Sequence, residues 1–328
     1  MSNLDLRPLS LGELLDRCFT LYRRHFLLFV GIVAFPYMLM LAMQLVQIFV
    51  FFPANFPTEG PPVAGQAPFS TPSTGAVASV MVFYVVLIVV MVIAYLLAQG
   101  GTVFAVSELY LGRPTTIRGS FRKMRGKMLI LFALVILNIL LVGACTAVAV
   151  VPAVILIPVA AQAGGTGATV LLVVLILLLF AFAAAVAIYL ACRLMVAIPA
   201  ALLEDAGPVT ALQRSFFLTK KNAGRAFLVL LISFAINFAV ISVLMIPPYI
   251  GMLISVMNHR YGMIRIWMAL FQVGSFIGQA LAGPILIIAT AVFYFDLRVR
   301  KEALDLQMMM PPAGYPAPLS GEPPTLIS

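Results

Sequence analysis

The chain has 328 residues, 63% of them hydrophobic and 9% charged, with a formal net charge of +9. An average soluble domain carries roughly a quarter charged residues, so the composition excludes a water-soluble fold, which would lack the polar surface to cover itself. The apolar runs are continuous rather than alternating. That excludes a β-barrel, since within one span only a helix satisfies its own backbone hydrogen bonds.

In chain order, the start lacks the cationic region, short apolar core and small-residue cleavage site of a signal peptide, so the N-terminus is expected to be retained. From Leu9 the sequence spells an amphipathic helix, with Leu11, Leu14, Leu15, Cys18 and Tyr22 on one face and Glu13, Asp16, Arg17, Thr20 and Arg24 on the other. Ser10 and Glu13 form the S-x-x-E pattern of a capping box. At Phe26 the sequence changes abruptly to hydrocarbon. Uncharged stretches of about 20 residues can cross a bilayer, and six occur, at about 26–52, 76–107, 128–151, 168–203, 226–247 and 264–297.

The connection between the second and third spans carries Arg113, Arg118, Arg122, Lys123, Arg125 and Lys127, with Ile117, Phe121, Met124 and Met128 as its apolar stripe. A third such segment starts at Pro208 after Gly207, which suits a first helical turn. Its stripe is Val209, Leu212 and Phe216, and Arg214, Lys220, Lys221 and Arg225 give it charge. The returning spans exceed the needed length by about ten residues, and a break at Pro199 or tilt would account for part of that. Acidic groups stand at their ends, Glu108, Glu204, Asp205 and Asp296, placed to pair with the basic faces. The segment 307–328 is rich in Pro and Gly and reads as a flexible cytoplasmic tail.

Aligning Cys18-Phe19 with Ser120-Phe121 and Ser215-Phe216 also matches Leu15, Ile117 and Leu212, and brings Arg23, Arg125 and Lys220 together. The expected fold is therefore an all-α integral membrane protein with six transmembrane helices in a single domain, 1–306. It divides into three parallel repeats, at about 8–112, 113–206 and 207–306, each an amphipathic interfacial helix followed by a two-span hairpin. Eighteen of the twenty Lys and Arg residues fall on one side, with only Arg260 and Arg265 opposite. The positive-inside rule then puts both termini in the cytoplasm. The positive charge is thus a topology signal and implies no nucleic-acid partner.

Two readings of the basic helices stand open. Their apolar faces lie in the headgroup layer, with Arg17, Arg23, Arg24, Arg118, Arg122, Lys123, Arg125, Lys127, Arg214, Lys220, Lys221 and Arg225 touching anionic lipid, or they pack on protein.

Chemistry is sparse. Cys18, Cys145 and Cys192 are too scattered for a disulfide framework or a paired-cysteine zinc site. His25 and His259 have no second histidine at ligand spacing, and no nucleophile elbow or phosphate-cradling loop occurs. No cofactor or metal is expected. Gly164-Gly165 reads as a turn. Polar residues within spans are the default functional candidates: Gln99, Asn138, Asn237, Gln272 and Gln279, which interhelical hydrogen bonding explains equally well. Arg193 lies deep in an apolar run. It either snorkels to the interface or pairs with an acidic helix end, making an intramembrane polar site from Arg193, Gln99, Glu108 and Glu204. Gly274 and Gly278 give the sixth span a smooth face for internal packing or for a homo-oligomer.

The opening LRPLSLGELLDRCFTLYRRHF, the segment GPVTALQRSFFLTKKNAGRAF and the ending VFYFDLRVRKEALDL resemble a bacterial family of multi-span proteins labelled as the membrane domain of glycerophosphoryl diester phosphodiesterases. The resemblance runs from about Leu6 to Leu306. It implies a six-helix module in the bacterial cytoplasmic (inner) membrane, without an activity. In the phosphodiesterases proper, catalysis belongs to a separate soluble barrel with a metal-binding acidic and histidine set, which nothing here matches. The resulting expectation is a non-enzymatic protein that organises or regulates something at the cytoplasmic face. A transporter of an amphiphilic or lipid-like solute is the alternative, and an intramembrane hydrolase comes third.

Overall fold

Serine, threonine and glycine set the starts of the short helices in this chain, and hydrocarbon sets the length of the long ones. The computed structural model describes residues 9–51, 74–162, 165–258 and 260–302. Every regular element among them is helical. The tail 307–328, His259, Gly164 and most of the loop 53–75 lie outside the described residues.

Helix α1 spans Leu11–Arg24 and carries the full capping box: Ser10 Oγ accepts from the Glu13 amide at 3.3 Å, and Glu13 Oε2 accepts from the Ser10 amide at 2.7 Å. Helix α2, Phe26–Val46, continues as a π-helical turn over Gln47–Phe51. Helix α3, Thr74–Tyr110, ends at Gly112, whose φ of 72° is in the left-handed region that glycine enters at no steric cost. Helix α4, Ile117–Arg125, starts on Thr116, whose hydroxyl accepts from the Gly119 amide at 3.1 Å.

Helix α5, Met128–Gln162, runs through Pro152 and Pro158, so most of the loop expected at 152–167 is helix instead. Each proline removes one rung of the hydrogen-bond ladder, which an apolar helix tolerates. The fourth apolar run is two helices, α6 over Thr166–Leu194 and α7 over Ala197–Leu203. The break falls at Met195–Val196 and not at Pro199. Pro199 sits in the first turn of α7, where its missing N–H is one that the helix would leave unpaired anyway.

Helix α8, Pro208–Thr219, has proline in its first turn as the sequence indicates. Helix α9, Ala223–Met257, passes straight through Pro247 and Pro248, and α10 covers Tyr261–Glu302. The connection between them is therefore short, and Arg265 lies inside α10.

Among the described residues, six helices are long and apolar enough to cross a membrane. At a rise of 1.5 Å per residue, the 35 residues of α9 are roughly 52 Å long against roughly 30 Å of hydrocarbon. The long helices pack as the consecutive pairs α2–α3, α5–α6 and α9–α10. These pairs are not equivalent: α10 also packs against α1, α2 and α3, and 56% of its most apolar stretch is buried, against 6–22% for the other five.

Its C-terminal half, with Ile288, Val292, Phe293 and Tyr294, joins Leu14 and Cys18 of α1, Phe29 and Ile32 of α2 and Ala105 of α3 in the main core. The apolar faces of the short helices are thus largely occupied by protein, although Val209 at the start of the third stripe is exposed. α1 buries Leu14 and Cys18, α4 buries Ser120 and Met124, and α8 buries Ala211, Leu212, Ser215, Leu218 and Thr219.

Glycine makes close approaches between helices possible. A methyl on Gly100 would overlap the Met124 side chain, and one on Gly274 would meet the Leu244 carbonyl at 2.8 Å. Gly278 likewise faces Ile241, so the smooth face offered for a homo-oligomer is filled by α9 of the same chain.

Candidate functional site

Two regions gather polar groups: one end of the bundle, where the short helices lie, and a cavity between the long helices.

At the charged end, the helix-end carboxylates are engaged by protein. Asp296, with no exposed side-chain surface, accepts from the Leu9 amide at 2.8 Å, from Arg225 Nη1 at 3.0 Å and from Arg300 Nε at 3.0 Å. Both guanidinium groups also donate to the Leu9 carbonyl. Nearby, Tyr110 stacks on Phe295 with ring centroids 4.6 Å apart, and Arg17 Nη1 donates to the Tyr110 hydroxyl at 3.4 Å.

Glu204 forms a second network. Arg214 grips it with Nε at 2.8 Å and Nη2 at 3.2 Å, and the Tyr294 hydroxyl donates to Oε1 at 2.7 Å. Arg214 also reaches Glu302, which Arg298 binds at 3.1 Å. Partial burial pulls the Arg214 pKa down, but Glu204 and Glu302 outweigh it and hold the guanidinium above its ordinary value.

A third pairing joins Glu108 to Lys123 at 2.6 Å, while Lys127 binds Asp205 and the Leu202 carbonyl. On α1, burial pushes the Cys18 thiol up to about 12, as expected of a small apolar residue rather than a nucleophile.

The twelve cations offered as lipid contacts therefore divide. Arg17, Lys123, Lys127, Arg214 and Arg225 are engaged with protein groups. Arg23, Arg24, Arg118, Arg122, Arg125, Lys220 and Lys221 are exposed and pair with no carboxylate among the described residues.

The expected cluster of Arg193, Gln99, Glu108 and Glu204 is not assembled. Glu108 and Glu204 are committed to Lys123 and Arg214. Arg193 lies over the Phe216 ring at 5.0 Å, with its Nε buried and unpartnered. Its carbonyl, in the last turn of α6 where the helix supplies no donor, accepts from the hydroxyls of Ser215 at 2.7 Å and Thr219 at 3.2 Å. Arg193 is thereby fixed to α8 and to neither expected acid.

Gln99 instead lines a cavity of about 250 Å³ between α3, α5, α6, α7, α9 and α10. Tyr95, Asn138 and Thr290 are its other polar side chains, and Val142, Leu194, Leu230 and Ile287 contribute to its apolar wall. The Tyr95 hydroxyl interacts with Gln99, Thr290 Oγ1 donates to the Ile287 carbonyl at 2.8 Å, and Asn138 Oδ1 is buried without a partner. Gln99 and Asn138 stand out in the sequence, each on its own. Tyr95 and Thr290 carry no such signal, since helical spacing cannot show that residues of α3, α5 and α10 meet. Among the described residues, no three His, Cys, Asp or Glu side chains converge as a metal site would require.

Residues 25–299 match a protein family described as a family of unknown function, DUF7544. The chain belongs to this family. The match covers the long helices as far as Val299, with Glu108, Glu204, Asp205, Asp296 and the cavity; it begins after α1 and stops short of Glu302. No curated protein and no solved structure matches the chain.

Proposed function

We propose that the chain is a non-enzymatic, six-span protein of the bacterial cytoplasmic membrane, with both termini cytoplasmic, that organises anionic lipid at the cytoplasmic face. One observation carries this reading: at a single end of the bundle the helix-end carboxylates are taken up by protein partners, while seven cations are left exposed. Each basic side chain near an anionic surface gains about 1 kcal/mol. The short helices hold these cations in place by burying their apolar faces in protein, so lipid meets the polar face.

The three-repeat reading fits the same picture. Cys18, Ser120 and Ser215, the aligned positions, are each buried on their short helix. The resemblance to phosphodiesterase membrane domains agrees in kind, as a membrane module separate from any catalytic barrel.

The test is the lipid that co-purifies. Replacing Arg118, Arg122 and Arg125 with Gln should lower bound anionic lipid in a salt-dependent way, and unchanged lipid content would defeat the proposal. Orientation is tested by labelling Arg122→Cys and Lys220→Cys variants in intact cells, where modification from outside would reverse the topology. Transport of an amphiphilic solute is the second reading, supported by the polar cavity.

A further inference from the structure

Asn138 sits ten residues into α5, roughly 15 Å along the helix from its start at the charged end. Its Oδ1 is buried and accepts no hydrogen bond. An acceptor left unmet in an apolar setting is costly, and here it borders open space. The polar groups around that space already have partners: Tyr95 and Gln99 engage each other, and Thr290 donates to a backbone carbonyl. What the cavity lacks is a donor from outside the protein.

We propose that this cavity binds a small, uncharged amphiphile whose hydroxyl or amide N–H donates to Asn138 Oδ1 and whose hydrocarbon lies along Val142, Leu194 and Leu230. Charge is excluded by the lining, which holds no Asp, Glu, Lys, Arg or His, because an ion at this depth would go uncompensated. A plain alkane is excluded because it leaves Asn138 unmet. The volume, about 250 Å³, falls just below the range of about 300–1,000 Å³ typical of small-molecule pockets. That suits a short-chain alcohol or the head and first methylenes of a neutral lipid. The cavity is separate from the charged end, since none of the seven exposed cations lines it.

The experiment uses the full chain in nanodiscs and radiolabelled 1-octanol, with empty nanodiscs as the background. One saturable site is expected, displaced by unlabelled 1-octanol and by N-octylacetamide but not by octane or octanoate. Asn138→Leu should bind about tenfold more weakly, as follows from removing one hydrogen bond to a buried group. Val142→Phe, which fills the space and keeps every polar side chain, should abolish the site. Arg122→Gln should leave it unchanged, which separates this result from the lipid-surface proposal. Absence of a saturable component would overturn the inference and leave water as the occupant. Equal displacement by octane would overturn it too, leaving mere apolar filling. Should Asn138→Leu fail to fold, as judged by circular dichroism, the competition series and Val142→Phe decide.

Discussion

Replacing Asp296 with Asn tests whether the charged end is held together by one buried carboxylate. Asp296 has no exposed side-chain surface and receives three donors: the Leu9 amide, Arg225 and Arg300. Asparagine keeps the size and one acceptor oxygen but turns an N–H₂ toward a guanidinium and leaves two cations facing a neutral group. Breaking a buried ion pair by neutralising one partner costs about 3–5 kcal/mol, a large share of the roughly 5–15 kcal/mol that holds a typical fold. The variant should therefore lose about that much in detergent-titrated unfolding. Hydrogen exchange measured over Leu9–Leu14 should rise most, because Arg225 and Arg300, which also hold the Leu9 carbonyl, lose their anchor at Oδ2. Adding Arg225→Gln should restore part of the stability, since the two residues share one network. Glu108→Gln serves as the contrast. Its partner Lys123 is 47% exposed, so the effect there should stay at or below about 1 kcal/mol. A destabilisation below about 1 kcal/mol for Asp296→Asn, with Leu9 as protected as before, would refute the reasoning.

Cys18 sets a pH dependence. Burial raises its thiol to about 12 from 9.0, so the folded state keeps the proton that the unfolded state releases. Its contribution is complete below pH 9.0 and disappears as pH rises toward about 12, with a slope of up to about 1.4 kcal/mol per pH unit; unfolding midpoints of the native chain and Cys18→Ala, compared across that window, should converge as pH rises. Gly274→Ala should destabilise by about 1–3 kcal/mol, because the new methyl meets the Leu244 backbone. Gly143→Ala, with nothing within 4 Å, should instead stabilise by up to about 1 kcal/mol, and thermal melts of the pair give the sign of each. Arg193→Gln should stay within about 1 kcal/mol of the native chain in the same melts, because removing a buried unpartnered N–H offsets the missing cation–π attraction to Phe216; rescue of a destabilised Arg193→Gln by Glu108→Gln would show the pairing that the fold places elsewhere.

What is legible in the sequence follows from local physics. The capping box at Ser10, the proline opening α8 and the six apolar runs each depend on neighbours within a turn or on composition, and each appears in the fold. The ends of the long helices are less legible, because proline is a weaker stop signal in an apolar helix than in water. Pro152, Pro158, Pro247 and Pro248 stand where the apolar runs suggest boundaries, yet α5 and α9 continue through them. The charged end is half legible. Asp296 and Glu204 stand out as acids at helix ends, but their partners depend on tertiary approach: a backbone amide 287 positions away for one, the Tyr294 hydroxyl for the other. The neighbours of Arg193 escape the sequence for the same reason, since hydropathy records depth along one helix and nothing about which element faces it.

The pattern of those partners bears on why a single segment changes solvent at Phe26. Glu108, at the end of α3, reaches Lys123 on α4, and Glu204, after α7, reaches Arg214 on α8. In both cases a helix returning to the charged end captures the short helix that follows it. Asp296 has no following short helix among the described residues and captures the Leu9 amide just ahead of α1 instead. If the three proposed units are equivalent in origin, this last interaction is the one that closes them into a ring, and it differs physically from the other two. It is fully buried and joins elements far apart in sequence, whereas Glu108–Lys123 is partly exposed and local. A ring closed by its least local interaction should place its strongest electrostatics there, because that closure must offset the largest reduction in chain entropy. α1 is thus polar outward and apolar inward because it docks on α10, while α2, which continues it, leaves Leu27, Phe35, Met38 and Leu39 exposed, the surface that the proposed bilayer would cover. In the proposed membrane setting, the boundary at His25 is where the chain would leave a protein surface and enter lipid.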